Sequence, residues 1–458
     1  MAHPRKQFKK RKPTPTTIVR TIRPFREFIR LESAGGMILI ACIVIALVWA
    51  NLPLLGLTYE SLWNSYIAIG LGEFLLSQPL HFWISDLLMV VFFFLIGLEI
   101  KRELMIGWLS SFQQAILPVI AAMGGMIFPA IIFSAFNPPG SLGSVGWAIP
   151  TATDIAIVLG LLSLFGNKIP TPLKVFVATL AIVDDIGGVV LIAVFYSHGL
   201  NLVFLGTAAL IVAILLMLNY YEIRRRIAYL VFGLLLWASL YLGGIHPTIT
   251  GILLSLTIPA TRSIDYKEFM EIADQLVDRL HKIIGPEPEE TDPKAFLNTT
   301  QTLELSCQEA QVPLQRLEHE LTPWVAFLIV PIFTLANAGL IFSENTLIAL
   351  ATPLSVGIIL GLVVGKPLGI LTALLISDKL GLVKLPETFS KGMLVGVSIL
   401  CGVGFTIAIF ISSLAFVDPI LLDGAKGAIL LASLISAVVG VLYLRWQIKR
   451  ESLLVAQQ

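Results

Sequence analysis

Three acids and one base stand in stretches that are otherwise apolar: Asp154 in Pro150-Thr151-Ala152-Thr153-Asp154, the adjacent Asp184 and Asp185 within Val175 to Phe195, and Lys366 in Gly365-Lys366-Pro367-Leu368-Gly369. At the centre of a bilayer each such group costs about 2.5–3.5 kcal/mol even on mild insertion scales, so its presence needs a reason. Salt bridges that merely fix helix packing would need equal numbers, whereas three acids against one base leave carboxylate unpaired. Burial disfavours the charged form, so an unpaired buried acid holds a proton until another cation replaces it. Exchange of a proton for a small cation is the chemistry these residues suggest.

The donors also select the cation. Na+ and Li+ are hard ions that prefer oxygen, which the carboxylates of Asp184 and Asp185, hydroxyls such as that of Thr153 and the carbonyls of unwound backbone would supply. Cys42 and Cys401 fall in apolar stretches and Cys307 in a polar loop, with no metal spacing and no suggested pairing. Pro150 and the threonines after it weaken regular helix ahead of Asp154, so a broken helix is expected there. Consecutive on a helix, Asp184 and Asp185 project about 100° apart, so one can face the ion and the other a partner. Lys366 is expected to pair with Asp184 or Asp154, and Gly187-Gly188 to admit a neighbouring backbone.

The elements that must position these groups are membrane spans. The 458 residues are 56% hydrophobic and 13% charged, with mean hydropathy +0.88, against roughly 25% charged in soluble domains. An ordinary soluble fold is thereby excluded. Runs near the length needed to cross a bilayer, about 20 residues, lie at 34–51, 82–100, 112–136, 148–165, 173–197, 201–219, 227–243, 247–260, 323–341, 347–376, 391–414 and 424–446. Residues 1–32 hold ten Lys or Arg against two Glu, including Arg5, Lys6, Lys9, Lys10, Arg11 and Lys12. With that tail cytoplasmic, Lys101-Arg102, Lys168, Lys174, Arg224-Arg225-Arg226, Lys379, Lys384 and Lys391 fall on the same side. The opposite connections, such as 52–81 and 415–423, carry no Lys or Arg. Both termini are expected in the cytoplasm, and the first run is too long for a cleaved signal core.

The chain divides into a basic tail (1–33), a first membrane part of eight spans (34–260), an acidic cytoplasmic insertion (261–321), a second membrane part of four spans (322–446) and a C-terminal tail (447–458). Residues 52–81, interrupted by Pro53, Gly56, Glu60 and Glu73, are expected as an outer hairpin or interfacial segment and are a candidate homodimer contact. Residues 262–320 carry thirteen Asp or Glu against six Lys or Arg. Helical spacing at Phe269, Ile272, Leu276 and Leu280 precedes the Pro-rich, acidic 286–293, which reads as a partly helical, solvated insert without chemistry of its own.

Ala148-Ile149-Pro150-Thr151-Ala152-Thr153-Asp154-Ile155-Ala156, Leu180-Ala181-Ile182-Val183-Asp184-Asp185-Ile186-Gly187 and Gly365-Lys366-Pro367-Leu368-Gly369 together resemble the NhaA-type sodium/proton antiporters. The likeness extends through Phe92 to Leu104, Gly244-Ile245-His246, Pro331 to Gly339 and Gly402-Val403-Gly404-Phe405-Thr406. It implies an all-α polytopic membrane protein of about twelve transmembrane helices. These form inverted-topology repeats, with two interrupted helices crossing near the midplane, broken at Pro150 and at Gly402 and Gly404. Asp154 would then offset the positive helix ends and Lys366 the negative ones, while Asp184 and Asp185 take Na+ or Li+ in competition with protons. A pH response would map onto Glu99, Glu103, Glu318 and His319; the plainer reading has Glu99 and Glu103 offsetting Lys101 and Arg102. His246 titrates in the neutral range when unperturbed, but with Pro247 behind it reads as a polar outer-loop residue. The long basic N-terminus, the enlarged 262–315 insertion and Thr322, where a histidine often precedes the proline, depart from the family pattern and suggest a distinct pH profile.

The expectation is a secondary transporter and not an enzyme, electrogenic and pH-regulated, exchanging cytoplasmic Na+ or Li+ for external H+ in a bacterial inner membrane. Its partners would be those ions, lipid and a second copy, with no cofactor and no nucleic acid. A sodium-coupled symporter of an organic anion would need a larger polar pocket and a free basic residue. An intramembrane aspartyl protease could use Asp154 and Asp185, but its Gly-x-Gly-Asp motif is absent. A passive cation channel would conduct without moving protons.

Overall fold

Inside lipid a chain can satisfy its backbone N–H and C=O groups only within itself, and the long apolar runs of this sequence accordingly become helices. The computed structural model describes residues 17–456 apart from 54, 72–73, 197–198, 263, 284–291, 343–347, 383–384 and 387–388. The basic residues at 5–12 and most of the acidic 286–293 stretch lie outside the described residues. The elements are α1 (Thr17–Asn51), α2 (Gly56–Trp63), β1 (Tyr66–Leu71), β2 (Phe74–Pro79), α3 (Leu80–Met105), α4 (Phe112–Phe136), α5 (Ile155–Ser163), α6 (Thr171–Phe195), α7 (Leu202–Tyr220), α8 (Arg226–Leu242) and α9 (Ile249–Thr257). They continue with α10 (Tyr266–Ile283), α11 (Pro293–Glu309), α12 (Pro313–Asn337), α13 (Pro353–Lys379), α14 (Lys391–Leu400), α15 (Phe405–Ala415) and α16 (Pro419–Ala456).

Among the described residues nine helices are long and apolar enough to cross a membrane, and the pair α14–α15, bent by 42°, makes a tenth. The chain is a multi-pass membrane protein. Two expected spans come out short: α8 has 17 residues and α9 only nine. Pro247 and Pro259 bound α9, because proline removes a donor and restricts the residue before it.

Where the 52–81 stretch breaks the apolar pattern, the helical architecture gives way to an antiparallel hairpin, in register from Tyr66 opposite Pro79 to Leu71 opposite Phe74. The acidic insertion is a pair of helices, α10 against α11, with Leu276 buried and Phe269, Ile272 and Leu280 half-buried on one stripe. Cys307, expected in a loop, lies within α11. That helix starts on Asp292, whose carboxylate accepts from the Lys294 and Ala295 amides, with Pro293 at the first helical position.

Small residues set one very close helix crossing. A methyl group on Gly124 of α4 would strike the Gly369 carbonyl of α13, and one on Gly369 would strike that of Gly124, so the two backbones touch. The same was expected of Gly187-Gly188, but Gly187 faces the Met126 side chain and Gly188 faces open space, so no backbone approaches there. π-bulges interrupt α3 at Trp83–Leu88, α12 at Val325–Ile329 and α13 at Gly361–Gly365, the last directly before Lys366. Such bulges gather at functional sites.

Candidate functional site

Two gaps in helical structure meet inside the bundle. A 3-10 segment, Ser144–Thr151, ends in extended backbone at Ala152 and Asp154 before α5 begins. The second gap, 401–404, separates α14 from α15. They are hydrogen-bonded to each other, the Asp154 amide donating to the Val403 carbonyl at 2.7 Å. A Cβ on Gly404 would lie 3.0 Å from the Ala152 carbonyl, which explains a glycine there. Pro150 packs against Gly361 at the π-bulge of α13.

Each gap leaves helix ends unsatisfied, and two charged residues serve them. Asp154 accepts from the Ile157 amide at 3.1 Å and from the Thr406 amide at 3.0 Å, with a further short bond from the Thr406 hydroxyl. One carboxylate therefore caps the N-terminal ends of both α5 and α15, where the helix field favours a negative charge. Lys366, fully buried, donates to the Thr151 carbonyl at the end of the 3-10 segment and pairs with Asp184 at 2.8 Å. Between the two expected partners the geometry picks Asp184. Thr153 completes the junction, its hydroxyl 2.8 Å from Asp184 Oδ2 and 3.1 Å from the Cys401 carbonyl.

Asp185 is different. It is 3% exposed and neither of its carboxylate oxygens has a hydrogen-bond partner, and Asp184 Oδ1 also has none. Buried polar atoms are almost always paired, so three orphan oxygens on neighbouring aspartates mark a place built to meet something else. Asp185 faces a cavity of about 80 Å³ whose wall includes Asp154, Thr406, Glu99 and Thr322. That is room for a small hydrated cation.

At the end of the bundle carrying Lys101 and Arg102, the expected acids take different places. Glu99 is buried in the wall of the Asp185 cavity, whereas Glu103 pairs with Arg102 at 3.0 Å. Arg102 also makes a short ion pair with Glu318 of α12, and Thr322 donates to the Glu318 carbonyl at 2.7 Å. His319 is exposed on another face. Lys101, expected to be offset by Glu99 or Glu103, instead donates to the Leu256 and Ile258 carbonyls at 2.6 and 2.5 Å, at the C-terminal end of α9. His246 lies in the connection between α8 and α9, as expected, but it turns inward: its ring packs edge-on against Phe410 and its nitrogens lie 3.4 Å from Asp86 and 2.8 Å from the Thr248 hydroxyl. Sequence reasoning missed Thr406 as the second partner of Asp154; a hydroxyl two residues after Gly404, at a helix start, was the available signal.

Comparison with known proteins bears on what this arrangement does. A family model described as Na+/H+ antiporter 1 matches residues 26–444. A Na(+)/H(+) antiporter NhaA of Oleidesulfovibrio alaskensis is 42% identical over 431 residues, covering 94% of this chain and 95% of that protein. Proteins of the same name are 43% identical in Koribacter versatilis, over 92% of this chain and 90% of theirs, and 41% identical in Serratia proteamaculans, over 93% and 98%.

Proposed function

Because this chain belongs to the Na+/H+ antiporter 1 family, matched over nearly its whole length, we propose that it is a secondary transporter in which Asp185 trades a proton for Na+ or Li+. The observation that carries the assignment is the pair of unpartnered Asp185 oxygens facing a cavity among helix ends whose own charges are already served. Asp154 is occupied by three donors from two helix starts, and Asp184 by Lys366 and Thr153; Asp185 is left to bind. Alkali cations take oxygen ligands, and Asp185 with Asp184 Oδ1 and the Thr406 or Thr322 hydroxyls offers them.

The cycle follows from competition for one site. Na+ entering from the cytoplasm displaces the Asp185 proton, the site reopens outward, Na+ leaves and a proton returns. If the Asp184–Lys366 pair releases a second proton, one net charge crosses per turn. A potential of 100 mV then contributes about 2.3 kcal/mol. The reading includes twelve spans with inverted repeats, the two gapped helices crossing near the midplane, both termini cytoplasmic and an inner-membrane location. The 66–79 hairpin is read as the dimer contact, the Glu99, Arg102, Glu103 and Glu318 group as the pH-responsive mouth, and no cofactor as required. In proteoliposomes, Asp185→Asn should abolish Na+-dependent proton release while leaving the folded protein intact. Robust exchange by that variant would sink the assignment.

A further inference from the structure

The helix faces that wall the Asp185 cavity continue past it, away from Glu99. On α12 Val330 lines the cavity, and Thr334 and Asn337 follow on the same stripe. On α15 Thr406 and Ile407 line it, and Phe410 follows. On α3 the lining residues Glu99, Ile96 and Phe92 lead to Met89 and Ser85, through the π-bulge. Two of the stripes meet again where the Asn337 amide approaches the Ser85 hydroxyl at 3.5 Å.

Between the cavity and that junction stands an apolar stopper. Phe410 is fully buried, with its ring centroid 5.1 Å from Phe93, 6.5 Å from Phe333 and 5.6 Å from His246. Thr334, one helical turn beyond Val330, is 0% exposed and its hydroxyl has no hydrogen-bond partner. A hydroxyl so placed calls for a reason that packing does not supply. Past it, the Asp86 and His246 side chains are partly exposed.

We propose that Phe410 seals an outward half-channel between α3, α12 and α15, and that the Thr334 hydroxyl, with Asn337 and Ser85 beyond it, is the first stop for a cation leaving the Asp185 cavity. The chemistry fits a transit point: neutral oxygens bind a hard cation weakly enough to let it go, whereas a further carboxylate would hold it. Phe410 sits one turn from Thr406, which is tied to Asp154, so a change in ion at the cavity has a direct mechanical route to the seal. This inference rests on the exchange reading.

The test uses the full chain with Cys42, Cys307 and Cys401 replaced and Thr334→Cys introduced, in right-side-out vesicles, with a membrane-impermeant cationic thiol reagent. Labelling from the outer face is expected to be slow with Phe410 present and about tenfold faster with Phe410→Leu or Phe410→Ala, as a shift toward the open route predicts. Thr334→Val should lower the turnover of Na+-driven proton exchange with the KM for Na+ at the inner face retained, and Thr334→Ser should restore it. Outer labelling unchanged by both Phe410 variants, labelling from the inner face alone, or full turnover in Thr334→Val would each overturn the proposal. Wild-type protein without Na+-dependent proton movement would instead overturn the exchange reading itself.

Discussion

Replacing Lys366 by leucine strips Asp184 of the cation it pairs with, at a position closed to bulk solvent. Both side chains of the pair are 0% exposed, Asp184 Oδ1 already lacks a partner, and after the change Oδ2 keeps only the Thr153 hydroxyl at 2.8 Å. Breaking a buried pair from one side typically costs about 3–5 kcal/mol, because the remaining charge is uncompensated. At about 2–4 °C per kcal/mol, the figure for large domains, the melting temperature should fall by on the order of 10 °C. Asp184→Asn added to Lys366→Leu removes the stranded charge and should recover most of that loss, the coupling expected of residues in contact. Melting of the purified protein in detergent measures the stability side. The function side is read in proteoliposomes, where the double variant keeps Asp185 and so should still exchange Na+ for one proton, without response to an imposed potential. A single variant as stable as the wild type, or a double variant as unstable as the single one, would refute the account of the pair.

Thr406→Val removes the hydroxyl that donates to Asp154 but leaves the amide bond at 3.0 Å; losing one bond to a charged group should cost about 1.5–3 kcal/mol of stability. Exchange should slow with it and Thr406→Ser should restore both, and a valine variant indistinguishable from the wild type would count against the double cap. Tyr59, on α2 outside the spans, donates to the Leu335 carbonyl at 2.7 Å and accepts from the Gly339 amide at 3.0 Å, and burial pushes its phenol up to about 12. Its neutral form is the native one, so its contribution should be complete below about pH 10 and lost as pH rises toward 12; Tyr59→Phe should flatten that alkaline limb in melting curves.

The sequence made the membrane architecture and the placement of charge within it legible for one reason: apolar runs near 20 residues leave few interpretations, and each ionisable residue inside one stands out. Pro150 and the Gly402–Gly404 pair likewise announced interruptions. Contacts were harder. Spacing alone could not choose between Asp154 and Asp184 for Lys366, because the choice depends on which helix end the lysine reaches, and it reaches Thr151 and Asp184 together. Lys101 misled because a helix C-terminus is a cation partner that no sequence position advertises. His246 lies in a connection, as its Gly-Ile-His-Pro string announced, but its inward turn onto Phe410 had no signal in the sequence. The short α9 followed from prolines at both ends, a signal present in the sequence but outweighed by its apolar content.

The arrangement also accounts for why the proposed site carries so many charges for one ion. Opening two helices in the membrane frees carbonyls and amides that lipid cannot satisfy, and Asp154 and Lys366 meet much of that demand, one at the starts of α5 and α15 and one at Thr151. Lys366 in turn must be neutralised where it lies, and Asp184 does so with Thr153. These three charges hold a scaffold whose backbone is interrupted beside the Asp185 cavity, and their hydrogen bonds leave them little freedom. Asp185 alone has no scaffold duty, so it can change partners without the crossing coming apart. In the proposed cycle, a carboxylate free to change partners beside others that are not would let the site take a proton and a metal ion in turn while the fold around it stays intact.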